Sequence, residues 1–127
     1  MNAAELRQGR GYGGTAVVWH NNLKAKVTPL TTSSPRICAL LFESTDMRLL
    51  VMSVYMPIDE NVYMHEFNDI LDDINSLYAQ YDDYDTIIAG DFNSDVIRGN
   101  ERSRRLLEWC EELGVVCPAL LPDASGF

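Results

Sequence analysis

The sequence predicts an α/β (α+β) layered domain, a mixed β-sheet with helices on its outer face. Three observations point there. Short runs of β-branched and other apolar residues recur between residues 15 and 55. Residues 61–81 switch to a helical hydrophobic period. A last strand-like run, Asp85 to Gly90, is followed by a second helical pattern. Strands, helix, strand, helix is the order of a layered sheet-and-helix domain. The 127 residues amount to at most one domain, and 46% apolar content is enough to build a core.

Gly9 to Gly14 (GRGYGG) reads as a flexible entry. Thr15 to His20 (TAVVWH) has a strand pattern. Asn21-Asn22 is a turn signal, which makes Leu23 to Leu30 the return strand of a hairpin. Thr31 to Pro35 is a loop. Arg36 to Ser44 and Met47 to Tyr55 are the next two strands, joined by a turn at Thr45-Asp46. In the first of these, Ile37, Ala39 and Leu41 alternate with Cys38, Leu40 and Phe42, so both faces are apolar and both should be covered. Pro57 ends the second. Met64, Phe67, Ile70, Leu71, Ile74, Leu77, Tyr78 and Tyr81 form one face of an amphipathic helix with its acids outside, capped by Asp59 or Asn61. Asp85 to Gly90 reads as a buried strand. Asn100 caps a second helix carrying Leu106, Leu107, Trp109, Cys110 and Leu113, which Gly114 closes. Val115 to Phe127 is irregular or a short edge piece.

The net charge is −9, unevenly placed. From Asp59 to Asp95 there are only acids and no Lys or Arg, while Arg98, Arg102, Arg104 and Arg105 follow. The acidic block reads as a solvated helix face. An acidic chain is a poor non-specific binder of nucleic acid, because affinity for phosphates comes largely from Lys and Arg. Phosphate chemistry would need a metal or the local arginines. No eighteen-residue apolar run is present, so no membrane span is expected. The opening MNAAELRQGR has no hydrophobic signal segment, and Cys38, Cys110 and Cys117 are odd in number with no CxxC pair. An intracellular protein with reduced thiols, nuclear or cytoplasmic, is the expectation.

The chemistry-bearing stretch is Thr86 to Asp95 (TIIAGDFNSD), in which Asp91, Asn93 and Asp95 alternate at a strand end. A calcium loop is excluded: an EF-hand needs Gly and Glu where this chain has Val96 and Arg102, and a helix should precede it. Residues two apart on an extended segment project the same way, so Asp91 and Asn93 should emerge together at the carboxyl edge of the sheet, where α/β proteins hold ligands. A carboxylate can orient and deprotonate a water, and a carboxamide can donate to a phosphate oxygen. Gly90 permits a tight backbone just before them. Ser53 to Pro57 (SVYMP) ends another strand, and Tyr55 brings a phenol. Trp19 and Trp109 read as packing residues, and His20 and His65 as structural or exposed.

These stretches carry a resemblance. SVYMP followed by one amphipathic helix and IIAGDFN resembles the endonuclease/exonuclease/phosphatase superfamily. RGYGGTAVVWHNNL, RICALLFES, LLVMSVYMP and TIIAGDFNSD look like the nuclease domain of non-LTR (LINE-type) retrotransposons, in family order over nearly the whole chain. The resemblance implies a four-layer α/β sandwich of the DNase I-like type, of which residues 1–127 would be one partial domain. It also implies hydrolysis of a DNA phosphodiester by an activated water. In that scheme Asp91 aligns the water, Asn93 positions water and phosphate, and Tyr55 stabilises the phosphate or leaving group. Mg²⁺ neutralises the phosphate charge, DNA is the partner, and Arg98 and Arg102 are candidate contacts to its backbone.

The resemblance also marks departures. The family's strands ending in an Asn and in a metal-binding Glu should lie before Gly9, and Glu5 stands in the wrong context. Its late Asp and His positions would follow Phe127. No complete metal set is therefore expected in these residues, Asp91 and Asn93 being nearest to one, and Mg²⁺ binding should be weak or absent. An exposed apolar sheet face is expected where the other half of the domain would pack. Alternatives are a catalytically dead relic serving as an interaction scaffold, or a phosphatase of the same superfamily.

Overall fold

The computed structural model describes residues 14–118. The expectations for the glycine-rich entry before Gly14, for Glu5 and for the segment after Pro118 lie outside them. Four strands form one sheet in the order β1-β2-β3-β4: β1 is Lys26–Leu30, β2 Ile37–Glu43, β3 Arg48–Tyr55 and β4 Asp85–Asp91. The β1–β2 and β2–β3 pairs are antiparallel, and β3–β4 is parallel. Helix α1, Met64–Gln80, preceded by a 3₁₀ turn at Asn61–Tyr63, makes the crossover between the parallel strands. Helix α2, Glu101–Leu113, follows β4.

The core lies on one face of the sheet. Ile37, Ala39 and Leu41 of β2 and Leu50, Met52 and Val54 of β3 meet Phe67, Ile70, Leu71 and Ile74 of α1 and Leu106, Trp109 and Cys110 of α2. Each strand contributes alternate residues and each helix contributes residues three or four apart, as the two backbone periods require. Trp109 is buried and its indole Nε1 donates to Asn75 Oδ1 at 2.8 Å, so the polar atom that Trp109 takes into the core has a partner. On the second face of β2, Leu40 and Phe42 are also buried, and Trp19 stands edge-on to Phe42 at 5.9 Å between ring centroids. That strand is thus covered on both sides.

Three expectations are corrected. Thr15 to His20 is not a strand and forms no hairpin. The Asn21-Asn22 turn does form, with the Leu23 amide bonded to the His20 carbonyl at 3.0 Å, but the strand after it begins at Lys26 and pairs with β2. A strand is stable only on a ladder, and β1 already occupies that side of β2; Val18 is left 90% exposed. Second, β4 is an edge strand, not a buried one: among the described residues it pairs only with β3, and Ile87 is 51% exposed. Third, neither Asp59 nor Asn61 caps α1, whose N-cap is Tyr63 without a side-chain bond. Asp59 is turned instead toward α2. At α2 the cap is as expected: Asn100 Oδ1 accepts from the Ser103 amide at 3.0 Å, and Gly114 ends the helix in the left-handed region at φ 77°.

Beside Ile87 lie its β3 partner Val51 and, two residues on, Ala89, on the face away from the helices. On this face Ile87 and Ala89 are exposed and Val51 is half-buried, while Leu40 and Phe42 of β2 are buried. None of the described helices is long and apolar enough to cross a membrane.

Candidate active site

The parallel ladder ends on Tyr55↔Asp91, with Val54↔Gly90 one step earlier. The close approach of the two strands there dictates the glycine. Gly90 has φ 139°, and a Cβ on it would lie 1.9 Å from the Val54 carbonyl oxygen. The need is for room against the neighbouring strand rather than for a tight turn.

One residue past the pair the chains are tied again, the Met56 amide donating to the Asp91 carbonyl at 2.8 Å. Then β4 leaves the sheet. Asn93 adopts a left-handed backbone, φ 46°, which Asn tolerates better than most residues. Its amide donates to Asp91 Oδ1 at 2.8 Å, an Asx turn, and its Nδ2 donates to the Met56 carbonyl at 2.7 Å. Asp91 and Asn93 therefore converge through a turn, not through strand alternation. The structure brings Tyr55, Asp91 and Asn93 to one strand-end cluster on the carboxyl edge of β3 and β4.

The groups keep chemical capacity. Tyr55 and Asp91 are exposed. One Asp91 oxygen is engaged by the Asn93 amide, and the carboxylate retains acceptor sites for a water or a ligand. The Asn93 carboxamide has spent one N–H on Met56 and keeps the other, together with its oxygen. Arg36 was not foreseen from sequence. Its guanidinium carbon lies 5.5 Å from the Tyr55 ring centroid, its Nη1 donates to the Tyr55 carbonyl at 3.2 Å, and its Nε pairs with Glu66 at 2.8 Å. Its position at the start of a strand antiparallel to Tyr55's own was the available signal.

The two arginine candidates separate. Arg98 is exposed on the loop after the Asx turn, 4.0 Å from Asp59 Oδ2. Arg102 is 2% exposed and cannot reach a DNA backbone, which is a correction. It is held inside by Phe67, whose ring centroid lies 4.5 Å from the guanidinium carbon, by the Pro57 carbonyl and by Asp59. Burial pulls its pKa below the usual arginine value, against the opposing pull of Asp59 and Glu66. Arg105 meets Glu108 and Glu112 along α2. His65 is exposed, 3.5 Å from Asp69, and His20 is exposed as well.

For a divalent cation the fit is incomplete. A hard ion such as Mg²⁺ takes oxygen ligands, usually one or two protein carboxylates with waters and substrate phosphates completing the shell. Among the described residues no three His, Cys, Asp or Glu side chains gather to hold a metal. Asp91 is the single carboxylate in the Tyr55–Asp91–Asn93 cluster.

Fold and cluster together describe an α+β domain with polar side chains collected where two parallel strands end. A solved structure is similar to this chain in fold: the endonuclease domain of TRAS1, a telomere-specific non-LTR retrotransposon, with a TM-score of 0.62 at 16% sequence identity. The match covers 74% of this chain and 44% of that one, so the chain spans less than half the length of its structural neighbour. The shared fold is that of part of a retrotransposon endonuclease domain, as the sequence resemblance implied. No protein-family model matches the chain, and no curated protein does.

Proposed function

We propose that this chain carries the water-positioning part of a phosphodiester-cleaving site, in a domain of the retrotransposon endonuclease type acting on DNA. The observation that carries the reading is the Tyr55↔Asp91 register pair with Asn93 locked beside it by two hydrogen bonds. Asp91 orients the attacking water and accepts its proton. The free N–H of Asn93 holds a phosphate oxygen, and the Tyr55 phenol faces the same phosphate. Arg98 meets the DNA backbone, where its positive charge works against the net negative charge of the chain. A divalent ion would supply charge neutralisation at the phosphate, but the donors in this cluster do not form a complete site for one, and no step is routed through it.

The test is a titration of the isotopically labelled 127-residue protein with a short DNA duplex at low salt, followed by NMR. Signals of Tyr55, Asp91, Asn93 and Arg98 should move together. Shifts centred elsewhere, or none, would contradict the reading. Equal shifts with a simple phosphomonoester would favour a phosphatase of the same fold.

A second reading has its own observation. Ile87 and Ala89 are exposed beside the half-buried Val51, at a strand edge that no other described strand pairs with. A catalytically dead scaffold would use that edge and leave the strand-end cluster untouched by DNA.

A further inference from the structure

Three consecutive backbone carbonyls at the exit of β3 each accept a hydrogen bond from a different side chain. Tyr55 is held by Arg36 at 3.2 Å, Met56 by Asn93 at 2.7 Å, and Pro57 by Arg102 Nη1. The donors come from the residue just before β2, the turn after β4 and the first turn of α2, so this short stretch is gripped from three sides. Two of the held residues are Tyr55 itself and Met56, the anchor of Asn93.

The third grip is the costly one. A charged side chain taken out of water loses several kcal/mol of hydration, roughly, unless its partners replace it. Arg102 and Ser103 are the only polar residues buried among the described residues, and Arg102 is incompletely partnered. Its Nε lies 3.7 Å from Asp59 Oδ1, beyond hydrogen-bond reach, and Nε and Nη2 have no hydrogen-bond acceptor among the described residues. An apolar residue would fill the space over Phe67 at lower cost. What an apolar residue could not do is hold the Pro57 carbonyl. Asp59 reinforces the arrangement: it lies two residues past Pro57, faces the Arg102 charge, and accepts from Asn100 Nδ2 at 2.8 Å. Asn100 in turn caps α2 through Ser103. The N-terminus of α2 is thereby clamped onto the segment that leaves β3.

We propose that Arg102 is a positioning residue for the Tyr55–Asp91–Asn93 site, fixing the β3 exit through the Pro57 carbonyl, with Asp59 and Asn100 setting the guanidinium in place. The proposal rests on the functional reading above, because positioning has meaning only if that cluster works as a site. It assigns Arg102 a role different from the DNA contact expected of it.

The experiment is NMR on the full 127-residue protein carrying Arg102→Met, which keeps length and removes the donors, or Arg102→Lys, which keeps one charged donor. Resonances of Leu41 and Leu50 report whether the sheet is intact. With the sheet intact, Arg102→Met should displace the Tyr55 and Met56 amides and the Asn93 side-chain amide, and speed exchange of that side-chain amide by about tenfold. Arg102→Lys should restore most of both. A folded Arg102→Met protein with Tyr55, Met56 and Asn93 signals unmoved would make Arg102 a core residue only and overturn the proposal. If Arg102→Met does not fold, Asp59→Asn decides by the same signals: displacement supports the clamp and its absence refutes it. None of these readouts depends on DNA, so failure of the DNA titration would leave this result standing as geometry, and failure here would leave the titration unaffected.

Discussion

Tyr55 and Asp91 face each other as the last pair of the parallel β3–β4 ladder, and the chain just beyond them is pinned by the Met56 amide on the Asp91 carbonyl at 2.8 Å. Two residues 36 positions apart in sequence are set side by side by backbone register alone. That register depends on the pair before it, Val54↔Gly90. Gly90→Ala places a methyl against the Val54 carbonyl in a backbone region that disfavours side chains. We expect a loss of about 2–3 kcal/mol, measured by urea unfolding, since a positive-φ clash exceeds the usual glycine-to-alanine entropy gain. An unchanged midpoint would mean the strands do not approach so closely.

Asn93 combines a left-handed backbone with a side-chain bond to Met56, and substitutions separate the two. Asn93→Gly keeps the backbone and loses the bond, for about 1 kcal/mol. Asn93→Ala loses both and should cost about 1 kcal/mol more. Asn93→Asp tolerates the backbone but sets a carboxylate against the Met56 carbonyl, and should be no better than alanine. Chemical denaturation of the three variants gives the order; glycine worse than alanine would refute the left-handed assignment.

Much of this was legible in the sequence, for local reasons. β2 and β3 fall within a residue of the limits that alternation and turn signals set, and α2 has both its Asn100 cap and its Gly114 stop. These features are encoded in consecutive residues. Three others were not, because each depends on a distant partner. TAVVWH carries a strand pattern, yet β1 takes the edge of β2. Asp59 looked like a cap for the helix beside it and is claimed by Asn100 and Arg102, some forty residues on. Arg102 looked like a surface charge in an Arg-rich run and is the buried member of it. The clustering of Asp91, Asn93 and Tyr55 could be anticipated from strand ends, but the turn that joins the first two could not.

Cys110 lies in the core near Cys117, and burial first, then the neighbouring thiol, push its pKa above the ordinary 9.0. A raised folded value means that the thiol's contribution to stability is full below about pH 9 and is lost as pH climbs through the folded value. The unfolding midpoint should fall above pH 9 in the native protein and fall less in Cys110→Ala. Cys110 should also react more slowly than the less buried Cys38 with a thiol reagent at pH 8, read by mass spectrometry. Faster labelling of Cys110 would contradict its placement.

Arg98 is an exposed cation on the loop that follows the Asx turn. Arg98→Ala should weaken duplex binding uniformly across sequences and lower the slope of log affinity against log salt by about one, as expected for one lost phosphate contact. An unchanged slope would place DNA elsewhere on the protein.

Plasmid nicking tests the central claim, that these residues hold the water-positioning part of a cleavage site and not the whole of it. Hydrolysis of a phosphodiester needs a placed water, neutralised charge and help to the leaving group, and groups that act as a unit lose most of their effect when one is missing. With Mg²⁺ or Mn²⁺ added, the 127-residue protein should nick supercoiled plasmid no faster than buffer, and Asp91→Ala should change nothing. Nicking that Asp91→Ala abolishes would contradict the account, because the charge-neutralising groups would then be present among residues described here as structural.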